Sequence, residues 1–168
     1  PIFKKVDNNL GIDFVHQENE YIDFIYQKLI PYQRSDRGPA TTVGDLNGDG
    51  KEDIFFGGAK EIKPSIFIQS LNGFVKKPHS YLEKDSIYED ASAAIADFKN
   101  DKQNDLFIAS GGGENAADLE DRLYLSNNNQ FIKAAFPKVA ENATVAKTLD
   151  YDNDGDTDLF IGNNSKNN

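Results

Sequence analysis

Apolar residues fall in short runs along this chain, each closed by Asp, Asn or Gly, and the runs recur in phase. Three stretches align on a crowd of acidic positions: VGDLNGDGKEDIFFGG (43–58), IADFKNDKQNDLFIASGG (95–112) and TLDYDNDGDTDLFIGNN (148–164). Their first acidic positions, Asp45, Asp97 and Asp150, lie 52 and 53 residues apart. Downstream of the first two copies a second pattern repeats, SIFIQSLNGFVKK (65–77) matching RLYLSNNNQFIKA (122–134). Each is a pair of alternating apolar runs around an Asn/Gly-type turn, which predicts a β-hairpin. A unit therefore reads strand, acidic loop, strand, connection, strand, turn, strand.

Four short strands per unit at this period are the sequence mark of a β-propeller blade. The pattern predicts an all-β fold, a partial β-propeller of four-stranded antiparallel blades, with residues 1–168 as a single propeller segment. Residues 1–39 form a lead-in with one outer strand, 40–78 a first blade, 92–135 a second, and 145–164 a half blade. The outer strand is placed at FKKV (3–6), which resembles FVKK (74–77) and FIKA (131–134), the outermost strand of each unit. Propellers close with about four to eight blades, so this segment cannot close a ring alone. Unpaired edges are expected at Phe3–Val6 and Asp158–Gly162, and the implied partners are the remaining blades of a longer chain or a second copy. The first residue, Pro1, and the polar end NNSKNN read as a processed or excised piece.

Each acidic stretch falls in the loop joining the first two strands of a blade. In DLNGDGKED, positions one, three, five and nine are Asp45, Asn47, Asp49 and Asp53, all hard oxygen donors, and Gly50 at position six allows a sharp turn. Lys51 at position seven would add its backbone carbonyl. This is the logic of an EF-hand loop, with the closing acid at the ninth position instead of the twelfth. In DYDNDGDTD the set is Asp150, Asp152, Asp154 and Asp158, with Gly155 at the turn and Asp156 at position seven. Carboxylates crowded without a counter-ion repel and are driven toward protonation. A divalent cation relieves this, and Ca²⁺, with its flexible shell of oxygen ligands, suits the set better than Mg²⁺. The middle loop, DFKNDKQND, keeps Asp97, Asp101 and Asp105 but has Lys99 at position three and Lys102 where Gly is wanted. An ammonium has no lone pair, so Lys99 is expected to replace calcium as an internal salt bridge to the three carboxylates.

Charge narrows the partners. The chain carries 28 acidic and 18 basic residues, a net charge of −10, so its average surface repels phosphate backbones, and no nucleic-acid partner is expected. No apolar run is long enough to span a bilayer and no signal segment opens the chain, so no direct membrane insertion is expected. Cys is absent, which removes disulfides, thiolate zinc sites and Cys nucleophiles and leaves the compartment open. His16 and His79 read as surface or packing residues, since neither lies near a Ser or Cys nucleophile motif. Gly111 to Gly113 read as a flexible loop after a strand, and GENAADLEDR (113–122) as a helical turn on the blade face. Tyr32, Arg34 and Arg37 in PYQRSDRGP form a basic and aromatic cluster, read as a structured loop with its Arg residues paired to acids.

The pattern DxDxDGxxD, followed by an apolar strand and a Gly pair as in DIFFGGA (53–59), resembles the FG-GAP/VCBS repeat of integrin-α-like propellers and large secreted bacterial proteins. The stretches FKKVDNNLGIDFVHQ (3–17) and LIPYQRSDRGPATTVGD (29–45) are similar to the lead-in of bacterial VCBS proteins of the ASPIC/UnbV type. The resemblance implies a propeller, calcium in the hairpin loops, an extracellular, cell-surface or periplasmic address, and binding in place of catalysis. The expected function is a calcium-stabilised binding module for a protein or carbohydrate ligand. The alternative is part of a propeller enzyme, a lyase or hydrolase acting on polysaccharide through paired carboxylates.

Overall fold

Turn chemistry cuts the chain into ten short strands among the residues that the computed structural model describes, which are 2, 4–6, 8–26, 28–32, 38–112, 116–128 and 130–164. The first sheet runs β1 (Thr41–Gly44), β2 (Asp53–Phe56), β3 (Ser65–Ser70) and β4 (Gly73–Lys77), each antiparallel to the one before it. The second repeats the order with β5 (Glu89–Ala96), β6 (Asp105–Gly111), β7 (Arg122–Asn127) and β8 (Gln130–Lys133). β9 (Asn142–Leu149) and β10 (Asp158–Asn164) pair as a hairpin. Register is the same at each acidic loop: Gly44 faces Asp53, Ala96 faces Asp105, and Leu149 faces Asp158. The fold is thus all-β, with four-stranded antiparallel sheets stacked as blades of a partial propeller.

Alternation along the strands decides how the sheets stack. One face of the first sheet, with Phe55 and Ile66, packs on Leu106, Ile108, Tyr124 and Phe131 of the second. The opposite face of the second sheet, with Phe107 and Ala109, packs on Ala143, Ala146, Leu159 and Ile161 of the hairpin. Covered on both sides, β6 is buried at every position. Burial of each large apolar side chain contributes about 1.5–3 kcal/mol, so these two interfaces hold the stack together. Glycines set how closely the inner strands approach. A Cβ at Gly57 would lie 2.6 Å from Cβ of Asp90, and one at Gly111 would lie 2.7 Å from Cβ of Ala91. The flexible loop expected at Gly111–Gly113 is therefore corrected: Gly111 ends β6 and is buried, and Gly113 lies outside the described residues.

The lead-in departs from expectation. Residues 4–6 form no strand, and Phe3 lies outside the described residues. An isolated extended stretch has no partner for its backbone groups and is not stable as a strand. The chain turns at Leu10 and Gly11, where φ is +50° and +87°, and covers the first blade instead. The Leu10 carbonyl accepts a hydrogen bond from Phe74 N at 2.6 Å, and the Phe14 ring stacks on Phe56 at 4.4 Å. A short helix α1 (Asp23–Tyr26) follows, and α2 (Ser80–Lys84) links the two sheets with Leu82 buried in their shared core. A 3₁₀ turn at Ala116–Asp118 lies in the stretch read as a helical turn. Of the basic cluster, Tyr32 is exposed, whereas Arg34 and Arg37 lie outside the described residues.

Candidate functional site

The three acidic loops lie at the same end of their sheets and are built on one backbone template. The first Asp of each accepts hydrogen bonds from the backbone N–H groups of positions five and six: Asp45 from Asp49 and Gly50, Asp97 from Asp101 and Lys102, Asp150 from Asp154 and Gly155. Such turns need positive φ at positions four and six. Gly48 and Gly50, Asn100 and Lys102, and Asn153 and Gly155 supply it, with Lys102 at +65° in a region that costs a residue with a Cβ about 1 kcal/mol. The fifth-position acids Asp49, Asp101 and Asp154 each accept from the N–H two residues on. The ninth-position acids reach back to position two: Asp53 to Leu46 N, Asp105 to Phe98 N, Asp158 to Tyr151 N.

Beyond this template the loops diverge. In loop three, carboxylate oxygens of Asp150, Asp152 and Asp158 lie within 4.8 Å of one another, a donor set that a divalent cation could bridge. Asp154 stands outside that cluster, and Asp156 accepts a hydrogen bond from Asn100 of loop two at 2.6 Å. In loop one, Asp45 also accepts from Asn47 and Gly48, and Asp49 meets the Lys51 ammonium at 3.0 Å, which holds the Asp49 carboxyl below its usual range. Asn47 Oδ1 accepts from Asp49 N. Asp53 is fully buried, its second oxygen accepting from Gln69 N on β3 at 2.8 Å. Burial raises its pKa, with the two N–H bonds pulling the other way. The carboxylate is thus a staple between loop and sheet.

Loop two carries its own cation. Lys99 Nζ lies 2.7 Å from Asp101, 3.6 Å from Asp105 and 2.7 Å from the Ser126 carbonyl. Its hydrogen bond to Asp101 raises the lysine's pKa and lowers that of the acid. Asp97, expected in the same salt bridge, instead spends its oxygens on the N–H groups of the turn. Asp105, fully buried, accepts from Phe98 N and Ser126 N, and burial raises its pKa. Asn104 donates to the Asp45 carbonyl at 2.8 Å while Asn100 donates to Asp156, so loop two ties its neighbours together. The sequence reading missed both Asn contacts, because they join positions 59 and 56 residues apart.

The profile of the FG-GAP-like repeat family matches residues 97–161, from the first acid of loop two through β10. That stretch is similar to an FG-GAP-like repeat. Among curated proteins none matches it. The FG-GAP match covers loops two and three and stops short of the stretches 3–17 and 29–45 that carry the ASPIC/UnbV likeness.

The opposite end of the repeat holds a buried ion pair. Arg122 donates to Asp90 at 2.6 Å, to Ser110 Oγ and to the Glu120 carbonyl, and its guanidinium lies over the Tyr88 ring. Asp90 also accepts from Gly58 N at 2.8 Å, which ties the first blade to the second. Burial raises the Asp90 pKa and Arg122 opposes it. Beside the pair, burial and the charges of Glu18, Asp90 and Asp23 push Glu89 up to about 7. His16 pairs with Glu18, and His79 packs on Phe131 at 5.2 Å.

Proposed function

We propose that this FG-GAP segment is a calcium-stabilised binding module of a secreted or surface protein, recognising a protein or glycan partner. The observation that carries the reading is the convergence of Asp150, Asp152 and Asp158 on one point of loop three, on a turn whose backbone already supplies positive φ at Asn153 and Gly155. These three residues would hold the ion, with Asp154 and the backbone of Asp156 nearby. Loop one would bind more weakly through Asp45, Asn47, Asp49, Asp53 and the Lys51 carbonyl, since Asp49 must first release Lys51. Calcium would neutralise crowded carboxylates and pin the tip of the hairpin. An extracytoplasmic address agrees with weak, exposed oxygen sites, which fill only where calcium is abundant. Calorimetric titration of the metal-free chain tests this: two unequal sites are expected, with Asp152→Ala removing the tighter one. No heat of binding, together with a melting curve unmoved by chelator, would overturn it.

One observation favours the second reading, a polysaccharide-acting enzyme: Glu89, held up to about 7, suits a general acid. Reducing-end release from a polysaccharide, abolished by Glu89→Gln, would establish it. Glycan-array binding without turnover favours the module.

A further inference from the structure

At the end of the first sheet away from the acidic loops, a cavity of about 380 Å³ opens between the sheet's outer edge and α2. Its cations are Lys63 from the β2–β3 connection and Lys76 and Lys77 from the end of β4. Glu83, in the same wall, is taken up by Lys63 at 2.7 Å. Lys76 turns its ammonium over the Phe67 ring, on the opposite face of β3 from Ile66, which leaves Lys77 as the cavity's cation with no carboxylate partner among the described residues. The cavity therefore carries an excess of positive charge on a chain whose net charge is −10. Its floor is apolar, formed by Pro64, Ile66, Pro78 and Leu82.

From this combination we infer that the cavity is a subsite for an acidic saccharide, a sugar ring bearing a sulfate or carboxylate. A bare inorganic anion would use the lysines but gain nothing from the floor and leave most of the volume unfilled. An uncharged sugar would leave the lysines unanswered. A ring that lays its C–H face on Pro64 and Pro78 and turns its anionic group toward Lys77 uses both. His79 supplies the hydroxyl contacts. Its side chain makes no cap hydrogen bond to α2, and burial, then Lys77, lowers its pKa, which keeps the imidazole neutral with one donor and one acceptor. The inference rests on the reading of the segment as a binding module and names its ligand class.

Isothermal titration of the calcium-loaded chain with four probes decides it: a 6-sulfated hexose, a hexuronic acid, the unmodified hexose and sodium sulfate. The two acidic sugars should bind at least tenfold more tightly than either the plain hexose or sulfate. Affinity should fall with added salt. Lys77→Gln should weaken the acidic sugars at least tenfold without moving the melting temperature, and Lys147→Gln, exposed on β9, should change nothing. Equal binding of the plain hexose, binding of sulfate alone as tight as that of the sulfated sugar, or binding undiminished by Lys77→Gln would overturn the proposal. So would no binding by any probe. A chain that still takes calcium and binds an array glycan while Lys77→Gln has no effect keeps the module reading and loses this cavity.

Discussion

In loop two an ammonium lies between two carboxylates, whereas loop three draws three carboxylates within 4.8 Å of one another on the same turn. Both loops place the first Asp over the N–H groups of positions five and six and staple the ninth Asp to position two. The same backbone therefore carries two different side-chain sets. A single side chain decides: Lys99 fills position three in one loop and Asp152 in the other. The buried ninth acid of loop two takes two backbone N–H bonds, that of loop three one. Loop two thus answers its own acids with Lys99, whereas in loop three no lysine takes that place.

The largest expected effect tests that difference. Asp105→Ala strands the N–H groups of Phe98 and Ser126 in a buried site and should cost about 3 kcal/mol, equally with calcium or chelator, in denaturant unfolding. Asp158→Ala should cost about 1 kcal/mol in chelator and, in addition, remove the share of the calcium-dependent gain that loop three supplies. Equal calcium dependence of the two variants would break the comparison.

Calcium itself comes next. At a hundredfold excess over Kd each filled site should add about 2.7 kcal/mol, read as a higher melting temperature. Lys99→Asp with Lys102→Gly rewrites loop two in the pattern of loop three, and titration of that double variant should show one more site than the parent. An unchanged site count would show that more than position three and the turn separates the loops.

Protonation should act at the opposite end of the sheets. Glu89 is raised from 4.5 to about 7 in the folded chain, by burial first and then by Glu18, Asp90 and Asp23. Between those values the folded state holds a proton that the unfolded state has lost, so stability falls as pH rises from about 4.5 to 7. Glu89→Gln should flatten that slope and stabilise the chain at pH 8 by about 2 kcal/mol, without altering calcium titration. A slope unchanged by this substitution would remove Glu89 from the pH response.

The smallest effect concerns backbone. Lys102, at φ +65°, occupies the place of Gly50 and Gly155. Lys102→Gly should stabilise loop two by about 0.5–1 kcal/mol, whereas Gly155→Ala should destabilise loop three by a similar amount. Melting temperatures of the two variants shifting the same way would contradict the shared template.

Much of this molecule was legible from local pattern. The period of the acidic stretches and the hairpin texts around Asn72-Gly73 and Asn127-Asn128 carry strand order, because turn residues and alternation act within a few positions. The Gly50, Lys102 and Gly155 turns and the role of Lys99 as a cation beside Asp101 and Asp105 follow from residue chemistry in the same way. The N-terminal FKKV pairs with no strand at residues 4–6, since likeness to an outer strand says nothing about whether a partner edge is within reach. The assignment of Asp53 and Asp105 was incomplete for a related reason. An acid in a metal-ligand pattern and an acid stapling backbone amides look alike until the strand that donates the second N–H is in place.

The sequence by itself determined the all-β class, the repeat, the turn frame of each loop and which loop carries its own lysine. All of these depend on interactions spanning a few residues. Only the tertiary structure decided that β6 is buried on both faces, that Asn100 and Asn104 bind loop two to its neighbours, and that Asp90, paired with Arg122, accepts the Gly58 N–H across a blade boundary. It also decided that lysines from the β2–β3 connection and the end of β4 share a cavity with His79. These depend on the stacking of one sheet on the next, and the area buried between faces fixes that stacking without leaving a local signature in the chain.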